Sequence, residues 1–195
     1  MKQVIEIEVP DGMDAVWENG TIKYVPNKPH WKEITTFEDA LRYVRENLLS
    51  SCEDLLKPYY NTIPGSFEHK IACYRIVVAA LTNNEKRHLT TGNKWYPVVQ
   101  FCRSEDKNNC WGSVLIGTIE SEGVKYSVIG GHASDGVLEG LGYFHSNDGV
   151  SYSCSTPGFR SVSSKEIAEH ISTYFGRLLF EIHYGGTNCD WKWVG

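Results

Sequence analysis

The chain of 195 residues lacks the features that would place it in several familiar protein classes. No apolar run approaches the roughly 18 residues that cross a bilayer, and the N-terminal stretch has no apolar core typical of a secretory signal. Lysine and arginine are scattered and the formal net charge is -5, whereas nucleic-acid binders usually carry a basic stripe. We therefore expect no membrane or nucleic-acid partner, and a cytoplasmic location.

Recognisable metal and phosphate motifs are also missing. The six cysteines form no CxxC pair, no histidine follows them at zinc-finger spacing, and the glycine-rich stretch lacks the GxxxxGK[ST] pattern of phosphate loops. We expect reduced thiols and no cofactor. Hydrophobic residues make up 41% and charged residues 22% of the chain, which is typical of a globular protein rather than a disordered tail.

The first residues predict a small β-hairpin. Residues 3–9 alternate apolar and polar side chains with the period of a strand, and Asn19-Gly20 is a dipeptide that tight hairpin turns favour. We place the hairpin at about residues 3–25. The predicted organisation is a hairpin module with its connector at residues 1–30, followed by a main domain at residues 31–195.

Three segments carry helical patterns. The first opens at Thr36 and ends at Pro58. The second covers 67–81 and is apolar nearly all round, which predicts a helix in the middle of a core. The third opens with Ser163 as its N-cap, and its apolar residues fall in one arc that runs to Ile182.

Strand patterns lie between the second and third helices. KWYPVVQFCR is β-rich, and SVLIGTIE and VKYSVIGG, separated by SEG, predict a hairpin. Residues 130–158 are rich in glycine and serine, and they fit either short strands with bulges or one long loop. The fold class predicted is α+β, with three helices packed on a mostly antiparallel sheet and an N-terminal β-hairpin.

The order of three segments resembles that of uncharacterised, prophage-associated proteins of gut Bacteroidetes. These segments are HKIACYRIVVAALTNN, NKWYPVVQF and PGFRSVSSKEIAEHISTYFGRLLFEI, and IEIEVPDG…WENGTIKYV is similar to the hairpin that often precedes them. The loop NEKRHLTTG departs from the group, in which tryptophans are expected. The resemblance implies a mobile element as the origin and an α+β domain, and it supplies no catalytic residues.

The far side of the last helix is a candidate protein interface. Gly176 and Phe180 lie one turn apart and nearly opposite the apolar arc, and a glycine inside a helix permits close approach of another backbone. One interpretation is a tolerated glycine and a singly exposed Phe. The other is a contact surface to which Trp191 and Trp193 contribute, filled by the tail, the hairpin or another subunit.

Two similar pentapeptides suggest a metal site. HASDG and HSNDG place His132, Asp135, His145 and Asp148 at equivalent positions, and imidazole with carboxylate suits Zn²⁺ or Mn²⁺. The competing interpretation is a pair of turns, because Asp-Gly is a turn dipeptide. An extended segment of thirteen residues spans roughly 40 Å, which favours the turns unless the chain bends back.

No catalytic pattern is assembled along the chain, so the function that we predict is a non-enzymatic accessory domain that acts through protein contacts. Its partner is another protein or a second copy of the chain. One alternative is a metal-dependent hydrolase that uses the His/Asp cluster. Another is a glycan- or ligand-binding module that uses exposed aromatic rings, with Trp95-Tyr96 and the Trp191 to Trp193 pair as its platforms.

Overall fold

A computed structural model describes residues 7–10, 13–18, 20–26, 29–84, 95–103, 114–134, 144–145, 151–154, 162, 164–185 and 190–194. In this part of the chain, α-helices pack against one antiparallel sheet, and a separate two-stranded hairpin precedes them. The predicted α+β class and the N-terminal hairpin are therefore confirmed. The described residues form five α-helices rather than three, because two of the predicted helices are each divided.

The hairpin consists of β1 (Met13–Glu18) and β2 (Thr21–Pro26), which pair antiparallel across the predicted turn. Gly20 has φ +79°, a value that glycine adopts without the steric penalty of a side chain. The strand predicted at residues 3–9 is absent from the part that is described, because residues 7–10 are irregular. The division of the chain at residue 30 stays a prediction.

The first predicted helix is divided into α1 (Phe37–Asn47) and α2 (Cys52–Asn61). Its start is as predicted: the Asp39 amide donates to the Thr36 hydroxyl at 3.1 Å, and the Thr36 amide donates back to the Asp39 carboxylate. The sequence pattern missed the break because Leu48 and Leu55 are seven residues apart, so they stay in helical phase while the chain turns between them. Both residues pack in the core.

The second predicted helix is confirmed as α3 (Phe67–Leu81), capped by Ser66, whose hydroxyl accepts from the amide of His69 at 3.1 Å. Tyr74, Ile76 and Val77 are fully buried. α1 and α2 pack on α3, and α3 packs on the last helix of the chain. This apolar helix therefore lies between two layers of helices, which is why Arg75 is its only charged residue between Ile71 and Leu81.

The main sheet has six strands in the order β6-β7-β3-β5-β4-β8, and every neighbouring pair is antiparallel. The strands are β3 (Trp95–Arg103), β4 (Val114–Ser121), β5 (Val124–Ser134), β6 (Phe144–His145), β7 (Ser151–Cys154) and β8 (Trp191–Trp193). The predicted β4–β5 hairpin is confirmed. Between residues 130 and 158 the described residues include the short strands β6 and β7, so the chain does fold back onto the sheet.

The last predicted helix is divided at Phe175 into α4 (Lys165–Tyr174) and α5 (Gly176–Tyr184). Phe175 leaves the helical conformation, with φ -118° and ψ 11°. The N-cap is Ser164, whose hydroxyl accepts from the Ile167 amide, rather than Ser163, which lies outside the described residues. Both helices lie on the sheet, α4 over β3 and β5 and α5 over β3 and β4.

Two histidines attach the segment after the hairpin to the main domain. His30 Nε2 lies 2.9 Å from the carbonyl oxygen of Ala80, and His170 Nε2 lies 2.8 Å from that of Ile34. Because a carbonyl oxygen only accepts, each Nε2 carries a proton and donates it. Trp31 packs against the core and meets the His170 ring edge-on at 5.2 Å. Residues 30–34 are thus held at one end by α3, through Ala80, and at the other by α4, through His170.

The state of the cysteines differs from the prediction. Cys102, fully buried in β3, is disulfide-bonded, so the expectation of reduced thiols is wrong for this residue. Cys52 and Cys73 are free, and burial raises the pKa of the Cys73 thiol to about 11. A thiol with this pKa stays protonated at neutral pH, and Cys73 is therefore a poor nucleophile.

Every helix in the described part of the chain is too short or too polar to cross a bilayer.

We expect the free energy of unfolding to fall as the pH drops below about 6.5, the ordinary pKa of an unfolded His. Burial lowers the pKa of His170, and the hydrogen bond to Ile34 opposes this only in part. A depressed pKa means that the unfolded chain takes up the proton first. The stabilisation that neutral His170 gives the folded chain is therefore complete above pH 6.5. It is lost below that pH, by at most about 1.4 kcal/mol per pH unit.

The measurement is urea unfolding at pH 7.5 and pH 5.0 for the native chain and for His170→Gln. The glutamine amide still donates to the Ile34 carbonyl but does not titrate, so the variant should lose less stability over this range. Equal losses in the two proteins would show that His170 does not contribute to the pH dependence.

Candidate protein-contact surface

Gly176 serves a contact within the chain. A Cβ atom added at Gly176 would lie 2.8 Å from Cγ1 of Ile116 on β4, and it would also overlap Cδ1 of that residue. The glycine therefore lets the first turn of α5 descend onto the sheet. Gly130 plays the same part on β5, where an added Cβ would lie 2.7 Å from the carbonyl oxygen of Ser172 on α4. The close approach that the sequence suggested at Gly176 is made to the chain's own sheet.

Phe180 is 1% exposed and lies at the centre of an aromatic cluster. Its ring centroid is 5.1 Å from that of Trp191 and 5.3 Å from that of Trp193, both in edge-on contact. Tyr184 and Phe101 complete the cluster from α5 and β3, at 4.6 Å and 6.3 Å. Aromatic pairs of this geometry each add about 0.5–1.5 kcal/mol beyond the area they bury.

The carboxylate of Glu181 links α5 to the C-terminal strand. Its Oε1 accepts from Trp193 Nε1 at 3.0 Å and from Arg177 Nε at 3.3 Å, and its Oε2 lies 3.3 Å from Lys70 Nζ. The Arg177 guanidinium also lies over the Trp193 ring, 4.8 Å from its centroid. These contacts, together with the pairing of β8 with β4, hold the tail against the helix.

Of the surfaces the sequence left open, the tail is therefore the one that fills the space beside Phe180, whereas Ile116 of β4 fills the space beside Gly176. Phe180 is enclosed by its own chain, so a partner has no access to its side chain. Trp191 and Trp193 are half-buried and packed against the core. The same contacts argue against the glycan platform at these two rings, because both rings pack on Phe180. Trp95 also packs against the core, and the side chain of Tyr96 lies outside the described residues.

The backbone positions of the two histidines lie far apart in the sheet. His145 of β6 pairs with Ser151 of β7, in the row that passes through Phe101 of β3, whereas His132 of β5 pairs with Pro97 of β3. Three strand spacings and four residues along the strand separate the two backbones by roughly 19 Å. A zinc–nitrogen bond is about 2.1 Å long, so this register does not favour a shared ion.

Asp135 and Asp148 lie outside the described residues. Among the residues that are described, no three His, Cys, Asp or Glu side chains come together in a way that could hold a metal ion.

The hairpin presents the candidate surface that sequence reasoning did not single out. Alternate residues of its two strands share one face, which we call the apolar face and define as Met13, Ala15, Trp17, Ile22 and Tyr24. Trp17 is 69% exposed and Tyr24 is 46% exposed. None of the described hairpin residues belongs to the core or packs against it. The opposite face carries the Lys23–Glu18 ion pair, with Nζ and Oε2 2.7 Å apart.

The segment before the hairpin extends this surface. The Tyr24 hydroxyl donates to the carbonyl oxygen of Glu8 at 3.0 Å, so residues 7–10 lie beside the tyrosine. Ile7 and Val9 are also exposed, at 42% and 41%. Since single exposed apolar side chains are ordinary but contiguous ones mark contact sites, the hairpin and this segment form the candidate surface.

A second set of exposed apolar residues lies at the turn between α2 and α3, where Ile63 is 77% exposed. Its neighbours are anchored to the core, since Tyr59 contacts both Phe37 and His69. The turn is therefore held in place by packing on the core, whereas the apolar face of the hairpin is not. Ile63 is thus an exposed apolar residue at a site with a structural explanation, and it serves as the comparison for experiments on Trp17.

The sequence contained a signal for this surface. Met13, Ala15 and Trp17 alternate in β1, and the turn at Gly20 fixes Ile22 and Tyr24 on the same side of β2. What the alternation does not reveal is whether the main domain covers the face. No protein-family model, no curated protein and no solved structure matches this chain.

We expect Gly176→Ala to destabilise the chain by about 1–3 kcal/mol, although alanine normally stabilises a helix relative to glycine by about 1 kcal/mol. The added methyl group collides with Ile116. In urea unfolding, the double variant Gly176→Ala with Ile116→Ala should lose less stability than the sum of the two single variants. Additive losses would mean that the collision is not the cause.

We expect Glu181→Gln to lower the free energy of unfolding by about 1–2 kcal/mol, because it removes the charge that Lys70 and Arg177 share at a side chain only 20% exposed. The matched control is Glu169→Gln, which removes the half-exposed pair with Lys165 and should change stability by less than about 0.5 kcal/mol. Equal effects in thermal unfolding would show that the partly buried network is no stronger than a surface pair.

Proposed function

We propose that the chain is a non-enzymatic accessory domain of mobile-element origin that works by binding another protein through the apolar face of its hairpin. The observation that carries the proposal is the 69% exposure of Trp17 on the apolar face of the hairpin. Tryptophan is among the residues that most often dominate protein-binding energies.

The stability of the hairpin supports the same proposal. Two-stranded hairpins are marginally stable in water, and a third strand or a packing surface is needed to hold them. Among the described residues, β1 and β2 pair only with each other, and the core takes in none of their side chains. A partner that covers the apolar face would supply the missing packing.

The titratable groups support a role other than catalysis. Perturbed pKa values tend to gather at active sites, but among the residues that the structure describes each shift has a local cause, which for Cys73 is burial. The Thr36 hydroxyl lowers the pKa of Asp39 at the start of α1, burial raises that of Tyr43, and burial lowers that of His170 on α4. Each of these three residues already has a structural role, in the helix cap, in the stack with His30, or in the bond to Ile34.

The compartment is part of the proposal as well. A disulfide at Cys102 favours an oxidising compartment over the cytoplasm that the sequence predicted, because cytosolic thiols are kept reduced.

The test uses a photo-reactive benzophenone amino acid at position 17, with the same group at position 63 as a matched control, in cells that naturally make the chain. We expect position 17 to give one discrete adduct that position 63 does not give. Tyr24→Ser in the same chain should reduce this adduct at least fivefold, while the unfolding temperature of the main domain stays unchanged. An adduct that is insensitive to Tyr24→Ser, or absent at position 17, would overturn the proposal.

A further inference from the structure

The area of the apolar face limits what can bind there. Aromatic side chains bury roughly 150–250 Å² when covered, so the exposed parts of Trp17 and Tyr24 amount to on the order of 250 Å². Two copies meeting face to face would bury on the order of 500 Å² from these side chains, whereas specific interfaces bury about 1,200–2,000 Å². Burial of these two aromatic side chains alone is therefore too small, and the occupant must gain energy elsewhere.

The backbone of β1 is the available source. In a hairpin with a two-residue turn, the pair that flanks the turn is hydrogen-bonded, and such pairs alternate along the strands. Glu18–Thr21, Val16–Lys23 and Asp14–Val25 are then the bonded pairs. The amides and carbonyls of Ala15 and Trp17 point away from β2, and within the described residues no third strand pairs with them.

The edge of β2 is less suited to an added strand. Pro26 is at its end and has no amide hydrogen to donate. β1 has no proline, and its apolar residues Met13, Ala15 and Trp17 are the same residues that form the apolar face. A strand added beside β1 would therefore both complete the backbone bonds and extend the apolar face over three strands.

The charge of the N-terminal residues indicates the composition of the strand that would be added beside β1. The first 26 residues contain two lysines against five carboxylates, so they carry -3 of the net charge of -5. In β1, Asp14 and Glu18 occupy positions that alternate with the apolar residues, and Glu18 also pairs with Lys23 of β2. Opposite charges directly across a pair of strands are stabilising, and like charges are destabilising. A complementary strand alternates apolar with basic residues.

We propose that the outer edge of β1 accepts a β-strand from a protein partner, in a segment that alternates apolar and basic side chains. This inference rests on the proposed function, since it names the partner for the same surface. Strand addition of this kind obtains affinity from main-chain hydrogen bonds and specificity from alternate side chains.

The probe is a capped, fluorescently labelled seven-residue peptide that alternates lysine and valine, titrated with the full chain and followed by anisotropy at 50 mM salt. The control peptide has the same composition with its lysines and valines in separate blocks. We expect the alternating peptide to bind at least tenfold more tightly. Hydrogen exchange at the amides of Ala15 and Trp17 should slow on binding, while the amide of Ile22 on the other edge should not change.

Protein variants separate the backbone from the charges. Ala15→Pro removes the outward amide of β1 and should abolish peptide binding, whereas Ala15→Ser keeps it and should bind within about twofold of the native chain. Asp14→Lys with Glu18→Lys should weaken binding of the lysine peptide at least tenfold and permit binding of an alternating valine–glutamate peptide.

The outcomes distinguish this inference from the proposed function. Equal binding of the alternating and block peptides, or unchanged exchange at Ala15 and Trp17, would overturn strand addition while the adduct at position 17 still supported a protein contact there. An adduct at position 17 with the mass of two chains would assign the edge to a second copy and also overturn it. If strand addition is found but no adduct forms at position 17 in cells, the proposed function fails instead.

Discussion

The burial of Phe180 between α5 and the C-terminal strand is the contact on which the rest of the main domain depends. Its ring meets Phe101 from the sheet, Tyr184 from its own helix, and both tryptophans of β8. Since α5 also packs on α3, this one side chain lies where the sheet and the layers of helices meet. β8 is only three residues long, and its position depends on these aromatic contacts and on Glu181 as much as on strand pairing.

The same residue shows where reasoning from sequence was sufficient and where it was not. The helix at 67–81 was predicted to the residue, because a helix apolar nearly all round and bounded by a serine cap has few other interpretations. The last helix was predicted to be continuous. A constant rotation of 100° per residue, applied across Phe175, then placed Phe180 nearly opposite the apolar arc. The irregular conformation of Phe175 changes the direction of the chain, so the residues placed opposite the apolar arc face inward. A pattern of apolar residues contains no signal for such a break.

The prediction of one continuous first helix was wrong for a related reason. Leu48 and Leu55 stay in phase across the turn that separates α1 from α2, because both must reach the same core. The period of apolar residues shows which side of the chain is buried. Two short helices that pack on the same core can keep the same apolar phase as one long helix, so the pattern does not distinguish them. The hairpin is a different case, since the turn at Asn19-Gly20 was predicted correctly, whereas the alternation at residues 3–9 lies before β1. Whether the main domain covers one face depends on the path of the connector, which no local pattern describes.

The connector also bears on how the hairpin can act. A two-stranded hairpin that becomes ordered only on binding loses part of its binding energy to that ordering. Here the chain leaves β2 at Pro26 and reaches a fixed point within four residues, where His30 donates to Ala80 and Trp31 packs in the core. The base of the hairpin is therefore tethered by four residues to a fixed point of the main domain, while the core formed by the described residues leaves its apolar face uncovered. This arrangement restricts the freedom that the proposed binding would have to remove, and among the described strands none pairs with the outer edge of β1.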